Sequence, residues 1–237
     1  MTWAATILTI QPDMFPGPLG ISLSGKALAE SAWSLETRDI RQHSTNRYGS
    51  VDDTPAGGGP GMVMRADIIA AAIDAVDRKG RPLILMSPRG KPFTQARARE
   101  LSQGPGAIFV CGRFEGIDQR VIEARQLEEI SIGDYVLSGG ELASMIVIDS
   151  VVRLLPGVVG ASESLSEESF EQGLLEYPHY TRPQLWEGRE IPETLMSGHH
   201  RKIRDWRLAQ SLELTKTRRP DLWDAWQRRN GATTAKH

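Results

Sequence analysis

Five stretches of this sequence combine residue types that could do chemistry. Gly57-Gly58-Gly59-Pro60-Gly61 is a backbone nearly free of Cβ atoms, able to approach a ligand closely and present its N–H groups. A phosphate loop would add a Lys-Ser/Thr pair and a strand leading straight in, and both are missing, so nucleotide triphosphate hydrolysis is disfavoured and a plain flexible loop is the competing reading. Residues 131–141 place glycines on both sides of a short apolar segment directly before an apolar helix, which leaves backbone groups available to a small ligand. Ser138 and Glu141 have the spacing of a capping box, so Glu141 is expected to start the helix rather than to act as an acid. Cys111 ends the apolar run Ile108-Phe109-Val110 and is expected to be a buried strand cysteine rather than a nucleophile. His199-His200 lack the surrounding acids or cysteines of a zinc site, and no structural metal is expected. Glu167 and Glu168, with Ser164 as cap, read by themselves as acids of a first helical turn.

The elements that must position these groups alternate. Apolar strand-like runs over residues 5–10, 82–87, 107–111 and 129–132 are interleaved with helix-like runs over 25–33, 66–78, 95–103, 119–125 and 141–155. That alternation predicts an α/β domain with a mostly parallel sheet covered by helices. Residues 41–61, rich in Gly, Asp, Asn and Pro, form a long unpatterned segment of the kind that is functional or disordered in a compact domain. Residues 161–176 carry five acids and no base, and read as an interdomain linker with a short helix. From His199 to Arg229 nine Lys or Arg stand against four acids, a locally basic helical module whose buried face would come from Trp206, Leu208, Leu212 and Leu214, followed by Trp223 and Trp226. The expected division is therefore 1–160, a linker at 161–176, and a small helical domain at 177–237.

Of 237 residues 40% are hydrophobic, enough for a sizeable core plus a smaller domain. The formal net charge of −2 announces no polyanion partner by itself, so any nucleic-acid contact must be local. A single cysteine excludes an internal disulfide, and neither a signal-like start nor a membrane-length apolar run is visible; a soluble cytoplasmic protein is expected.

Four longer motifs carry a resemblance: Gly57 to Met62, Val110 to Asp118, Ser131 to Leu142, and Pro178-His179-Tyr180-Thr181-Arg182-Pro183. In this order they resemble the bacterial tRNA (guanine-N1)-methyltransferases of the SPOUT superfamily over nearly the whole chain, and residues 10–15 and 149–157 resemble the same family. The resemblance implies an α/β, SPOUT-type parallel sheet with a deep trefoil knot, an exception to the rule that chains avoid knots, plus a small C-terminal helical domain. It implies S-adenosylmethionine as methyl donor, held by Leu85, Met86, Ser87 and Pro88, by Gly112, Phe114, Glu115 and Gly116, and by Ser131, Ile132, Gly133, Tyr135, Leu137, Gly139 and Gly140.

The same resemblance makes Glu168 the general base and Arg153 the cation that stabilises charge on the guanine oxygen, with Glu176 a second candidate base. Asp52, Gly57, Gly58, Gly59, Arg113 and Glu176 would face the RNA, together with the basic module after His199. The substrate would be guanosine 37 beside the tRNA anticodon, and the enzyme a homodimer whose partner completes each site. A role for Mg2+ belongs to the family, although no complete ligand set is visible here. The sequence departs from the family's commoner residues at Glu168 (aspartate), Phe114 and Leu85 (both tyrosine). Two other readings compete: a SPOUT methyltransferase for ribosomal RNA or a ribose hydroxyl, disfavoured by the 178–183 segment and its helical tail, and a non-enzymatic RNA-binding module.

Overall fold

The computed structural model describes residues 2–160 and 168–234, with side chains to residue 231, and the chain divides into two compact units, Met1–Gly160 and Ala161–His237. The first unit runs β1 (Trp3–Thr9), α1 (Ser22–Ala29), β2 (Trp33–Asp39), β3 (Asp52–Asp53), β4 (Val63–Met64), α2 (Ala66–Asp74), β5 (Leu83–Pro92), α3 (Gln95–Ser102), β6 (Gly106–Val110), α4 (Gln119–Arg125), β7 (Glu128–Ser131) and α5 (Gly140–Val152).

Five of these strands form one sheet in the order β2-β1-β6-β5-β7, every neighbouring pair parallel. A parallel sheet covered on both faces needs apolar residues on both faces. The innermost strand satisfies this: all five residues of β6 are buried. On one face Trp3, Ala5, Ile7, Ile84, Phe109 and Ile130 pack against α1, α3 and α5. On the other, Leu8, Leu83, Leu85, Ile108 and Val110 pack against α2 and α4. The two buried indoles do not leave their N–H groups stranded, since Trp3 Nε1 donates to the Leu101 carbonyl and Trp33 Nε1 to that of Ser24, both at 2.9 Å.

Several expected boundaries shift. The helix expected over 25–33 covers Ser22–Ala29, and Trp33 instead begins β2, an edge strand missed because Glu36, Arg38 and Asp39 dilute its apolar signal. The helix expected over 66–78 stops at Asp74, and that over 141–155 spans Gly140–Val152. The segment 41–61 is not wholly irregular: β3 pairs antiparallel with β4, forming a small ribbon whose tip carries Gly57, Gly58 and Gly59.

The long strand β5 departs from a regular ladder. Ile130 of β7 pairs first with Met86 and again with Lys91, so residues 87–90 leave the sheet and rejoin it. At the return Gly90 lies against β7, where a Cβ would stand 2.4 Å from both the Glu129 carbonyl carbon and the Ile130 nitrogen.

The second unit contains a hairpin of β8 (Leu185–Trp186) and β9 (Arg189–Glu190), then α6 (Glu193–Met196), α7 (His200–Arg218) and α8 (Pro220–Thr234). The expected buried face of the basic module is only partly right. Leu208 is exposed, while the positions that sink are Ser211 and Thr215. Thr215 Oγ1 accepts the Leu175 N–H at 2.8 Å and donates to the Ser211 carbonyl at 2.6 Å, so this helix face receives a backbone segment and needs a hydroxyl there. Residues 168–176, expected as linker, thus fold onto the helices of this unit; Ser164 and Glu167, expected to open a short helix, lie outside the described residues. Tyr180 meets Trp206 edge-on, Trp223 stacks on Trp226, and the Arg207 guanidinium sits 4.7 Å above the Tyr177 ring. Among the described residues no helix is long and apolar enough to cross a membrane.

Replacing Gly90 by Ala forces a methyl group into the backbone of β7. Urea denaturation of Gly90→Ala should give a stability lower by about 3 kcal/mol, read as a reduced midpoint at unchanged slope. An unaltered midpoint would contradict this close approach.

Candidate active site

Parallel strands carry their C-terminal ends to one edge of the sheet, and the crevice outside those ends is where an open α/β sheet binds ligands. Here the excursion of β5 with the paired residues that lead into it, and the chain leaving β6 and β7, form three neighbouring segments, called loops below, at that edge. They enclose a cleft of about 1450 Å³, above the roughly 300–1,000 Å³ usual for a single small-molecule site. The first loop contributes Leu85, Met86, Ser87 and Pro88; the second, Gly112, Phe114, Glu115 and Gly116; the third, Ser131, Ile132, Gly133, Tyr135, Leu137, Gly139 and Gly140. All fifteen residues that the sequence assigns to the donor therefore line one cavity.

Each loop is held by its own bonds. Gly140 N–H donates to the Gly112 carbonyl at 3.0 Å and joins the second loop to the third. Phe93 N–H donates to the Ser131 carbonyl at 2.7 Å and joins the third to the end of β5. Within the third loop Ser131 Oγ donates to the Gly133 carbonyl, and Tyr135 Oη to that of Ile132. Phe114 adopts φ +59° with its ring exposed beside the cleft, a left-handed conformation uncommon for an aromatic residue and of the kind held in place at ligand sites.

The ribbon β3–β4 is stitched to the second loop: Glu115 N–H donates to the Met62 carbonyl, Met64 N–H to that of Gly116, and Asp118 N–H to that of Met64. Through these bonds Asp53, Thr54, Pro55 and Ala56 reach the cleft wall, whereas Asp52 and Gly57, Gly58 and Gly59 do not line it. The rim carries arginines that sequence reasoning did not single out. Arg65 pairs with Asp67 and Arg120 with Asp118, each at 2.7 Å, and the guanidinium bonds hold both carboxyls below the usual carboxylate range. Arg89, 3.2 Å from Glu129, is mostly exposed.

Glu141 is not a capping-box residue. Gly139 caps α5 with no side-chain bond, and Ser138 lends its carbonyl, not its hydroxyl, to Arg113. The Glu141 carboxylate is instead turned inward, where it accepts the Thr9 hydroxyl at 2.6 Å and faces the Arg113 guanidinium, Nε lying 3.0 Å from Oε2. The Ser-x-x-Glu spacing was an incomplete guide because a closer, oppositely charged partner arrives from another loop. Its sequence signal was Thr9, a hydroxyl in the apolar run of β1.

Within the first unit, Arg153 is not part of the cleft lining. Arg153 sits half-buried at the C-cap of α5, where a cation complements the helix dipole. Glu168 and Glu176 belong to the second unit; Glu176 Oε1 is 2.8 Å from His179 Nε2. His199 and His200 are exposed at the start of α7.

The family model described as tRNA (Guanine-1)-methyltransferase TrmD matches residues 3–225. The chain belongs to this family. A tRNA (guanine-N(1)-)-methyltransferase from Rhodopseudomonas palustris (strain TIE-1) is 68% identical over 226 residues, covering 95% of this chain and 91% of the relative. One from Chelativorans sp. (strain BNC1) is 63% identical over 235 residues, covering 98% and 100%. One from Nitrobacter winogradskyi is 66% identical, covering 95% of each. Membership in the tRNA (guanine-1)-methyltransferase family accounts for the four motifs found in order along the sequence, and every residue of the cleft lining falls inside the matched span.

Cys111 lies within 3.2 Å of Ser144 Oγ and is wholly buried, and burial pushes its thiol far above the ordinary range. The native protein should therefore fail to react with a thiol-specific disulfide reagent at pH 8 on a timescale where the urea-unfolded chain reacts fully. Rapid labelling of the native state would contradict this placement.

Proposed function

We propose that this protein transfers a methyl group from S-adenosylmethionine to N1 of guanosine 37 in tRNA, beside the anticodon. The observation that carries the reading is the convergence of three sequence-distant loops, in a chain of this family, on one cleft. The residues present fit the donor: glycine backbone at Gly112, Gly139 and Gly140 lets a nucleoside approach, and Leu85, Ile132 and Leu137 offer apolar surface to its ring. The excess volume leaves room beside the donor for a purine turned out of the anticodon loop, which is how enzymes acting on bases reach them.

Bound S-adenosylmethionine would supply an electrophilic methyl carbon whose bond to sulfur breaks with the electron pair left on sulfur. Glu168 accepts the N1 proton of guanine, freeing the nitrogen lone pair that bonds to that carbon. Arg153, charged at any working pH, faces the negative charge that builds on the neighbouring carbonyl oxygen. Asp52, Gly57, Gly58, Gly59 and Arg113 contact the anticodon loop, with Glu176 as a further substrate contact, and the basic helices α7 and α8 grip phosphates of the stem. Mg2+ is assigned no step.

The working form is a homodimer in which the partner completes each site. Supporting this, α5 is apolar around nearly its whole circumference yet leaves Leu142 and Ile146 exposed one turn apart, and a helix apolar all round is ordinarily buried. A SPOUT trefoil knot in residues 1–160 goes with membership in this family, and the all-parallel sheet is compatible with it. The protein would work in the cytoplasm, where unmodified tRNA is found.

Incubation with unmodified tRNA and a methyl-labelled donor, followed by mapping of the modified nucleotide, should place the label on N1 of guanosine 37. Glu168→Gln should lower the single-turnover rate at least a hundredfold with donor affinity within twofold of the parent. Label at another nucleotide of the tRNA or on a ribose would contradict the substrate assignment, no label would favour a binding module, and near-normal turnover by the variant would remove Glu168 from the mechanism.

A further inference from the structure

The Arg113 side chain stands at a junction. Its Nε faces the Glu141 carboxylate, at 3.2 Å from Oε1 and 3.0 Å from Oε2; Nη1 donates to the Ser138 carbonyl at 3.3 Å; Nη2 lies 3.3 Å from Met14 Sδ. One guanidinium thus touches the second donor loop from which it projects, the third loop at Ser138, the first turn of α5 at Glu141, and the N-terminal segment at Met14. Behind it, Glu141 Oε1 accepts the Thr9 hydroxyl, which in turn accepts the Gln11 N–H at 2.9 Å. The pair lies across Gly139, where a Cβ would stand 2.3 Å from Arg113 Nε and 2.5 Å from Glu141 Oε2. Gly139 and Arg113 also form an isolated antiparallel bridge.

Glu141 is 1% exposed and Arg113 19%. Burying such a pair is a poor way to gain stability, because well-packed apolar residues of similar size serve as well or better. What an ion pair adds that apolar packing does not is direction, since the planar guanidinium fixes the bearing of each group it bonds.

We propose that Glu141 is a positioning residue for the donor cleft: acting through Arg113, it fastens the loop after β6 to the loop before α5 and sets the spacing at which the donor fits between them. Thr9, buried at the C-terminal end of β1, anchors the carboxylate to the sheet, so that the clip is referred to the rigid core rather than to either loop. The inference rests on the reading of the cleft as the methyl donor's site.

The test uses the full-length protein, S-adenosylhomocysteine as the titrant in calorimetry, and amide hydrogen exchange without ligand. Glu141→Gln should weaken S-adenosylhomocysteine binding at least tenfold while the tRNA KM at saturating donor stays within twofold. Exchange should speed up at residues 112–116 and 131–140 while the strands β1 and β6 keep their protection. Arg113→Gln should weaken S-adenosylhomocysteine binding and speed the same exchange alike, its tRNA KM standing outside the comparison because Arg113 is also assigned to the RNA, and the double variant should bind S-adenosylhomocysteine no more weakly than either single one, because both remove the same contact. If Glu141→Gln does not fold, Thr9→Val, nearly isosteric, serves in its place and should weaken binding about threefold with faster exchange at the same amides. Affinities within twofold of the parent in every variant, or exchange raised uniformly through the sheet, would overturn the proposal. Failure of the parent protein to bind S-adenosylhomocysteine would overturn the cleft reading instead, and the exchange pattern, read without ligand, tells the two apart.

Discussion

Parallel pairing on both flanks of β5 sets the geometry on which the cleft depends. With β6 on one side and β7 on the other, all running the same way, the chain leaving each strand emerges at one edge within reach of the other two. Residues separated by about forty positions in sequence are then only a strand spacing or two apart. The sheet can impose this because both of its faces are filled, by α1, α3 and α5 on one side and α2 and α4 on the other, so no strand can slide without exposing apolar surface.

The polar groups admitted into this interior show the same economy. Thr6 Oγ1 accepts a hydrogen bond from Arg81 at 2.7 Å, Ser144 Oγ donates to the Gly140 carbonyl at 2.8 Å, and Thr9 and Arg113 both donate to Glu141 Oε1, while among the described residues Oε2 has the ion pair with Arg113 alone. A buried polar group left without a partner carries a desolvation penalty of about 1–3 kcal/mol, so such groups persist where a partner is placed for them. Cys111 shares this environment, where burial outweighs the Ser144 contact and holds the proton on the thiol, and it remains a packing residue at the base of the second loop.

Much of this arrangement was legible in the sequence, for identifiable reasons. Strands β1, β5, β6 and β7 announced themselves as apolar runs because a covered parallel sheet demands them, and α4 matched its expected bounds, with Asp118 capping it through a bond to the Arg120 N–H. Strand β2 was hidden because one flank is an edge, where Glu36 and Arg38 satisfy each other in solvent and erase the apolar pattern. The role of Glu141 was misread because a capping box is a local pattern, whereas its true partners are 132 and 28 residues away. In the second unit, Ser211 and Thr215 gave no hydrophobic signal at all, since the face they form is buried by a hydrogen-bonded backbone rather than by apolar side chains. That the expected donor residues would gather was implied by motif resemblance; no periodicity in the chain could have placed Leu85, Phe114 and Leu137 around one space.

The account stands or falls on what occupies that space. A crystal structure of the protein grown with saturating S-adenosylhomocysteine should show the nucleoside seated between the three loops, with Leu85, Phe114 and Leu137 within van der Waals distance and the backbone of residues 131–140 bonded to its polar edge. Density for the ligand at any other place on the chain, or an empty cleft under those conditions, would contradict it.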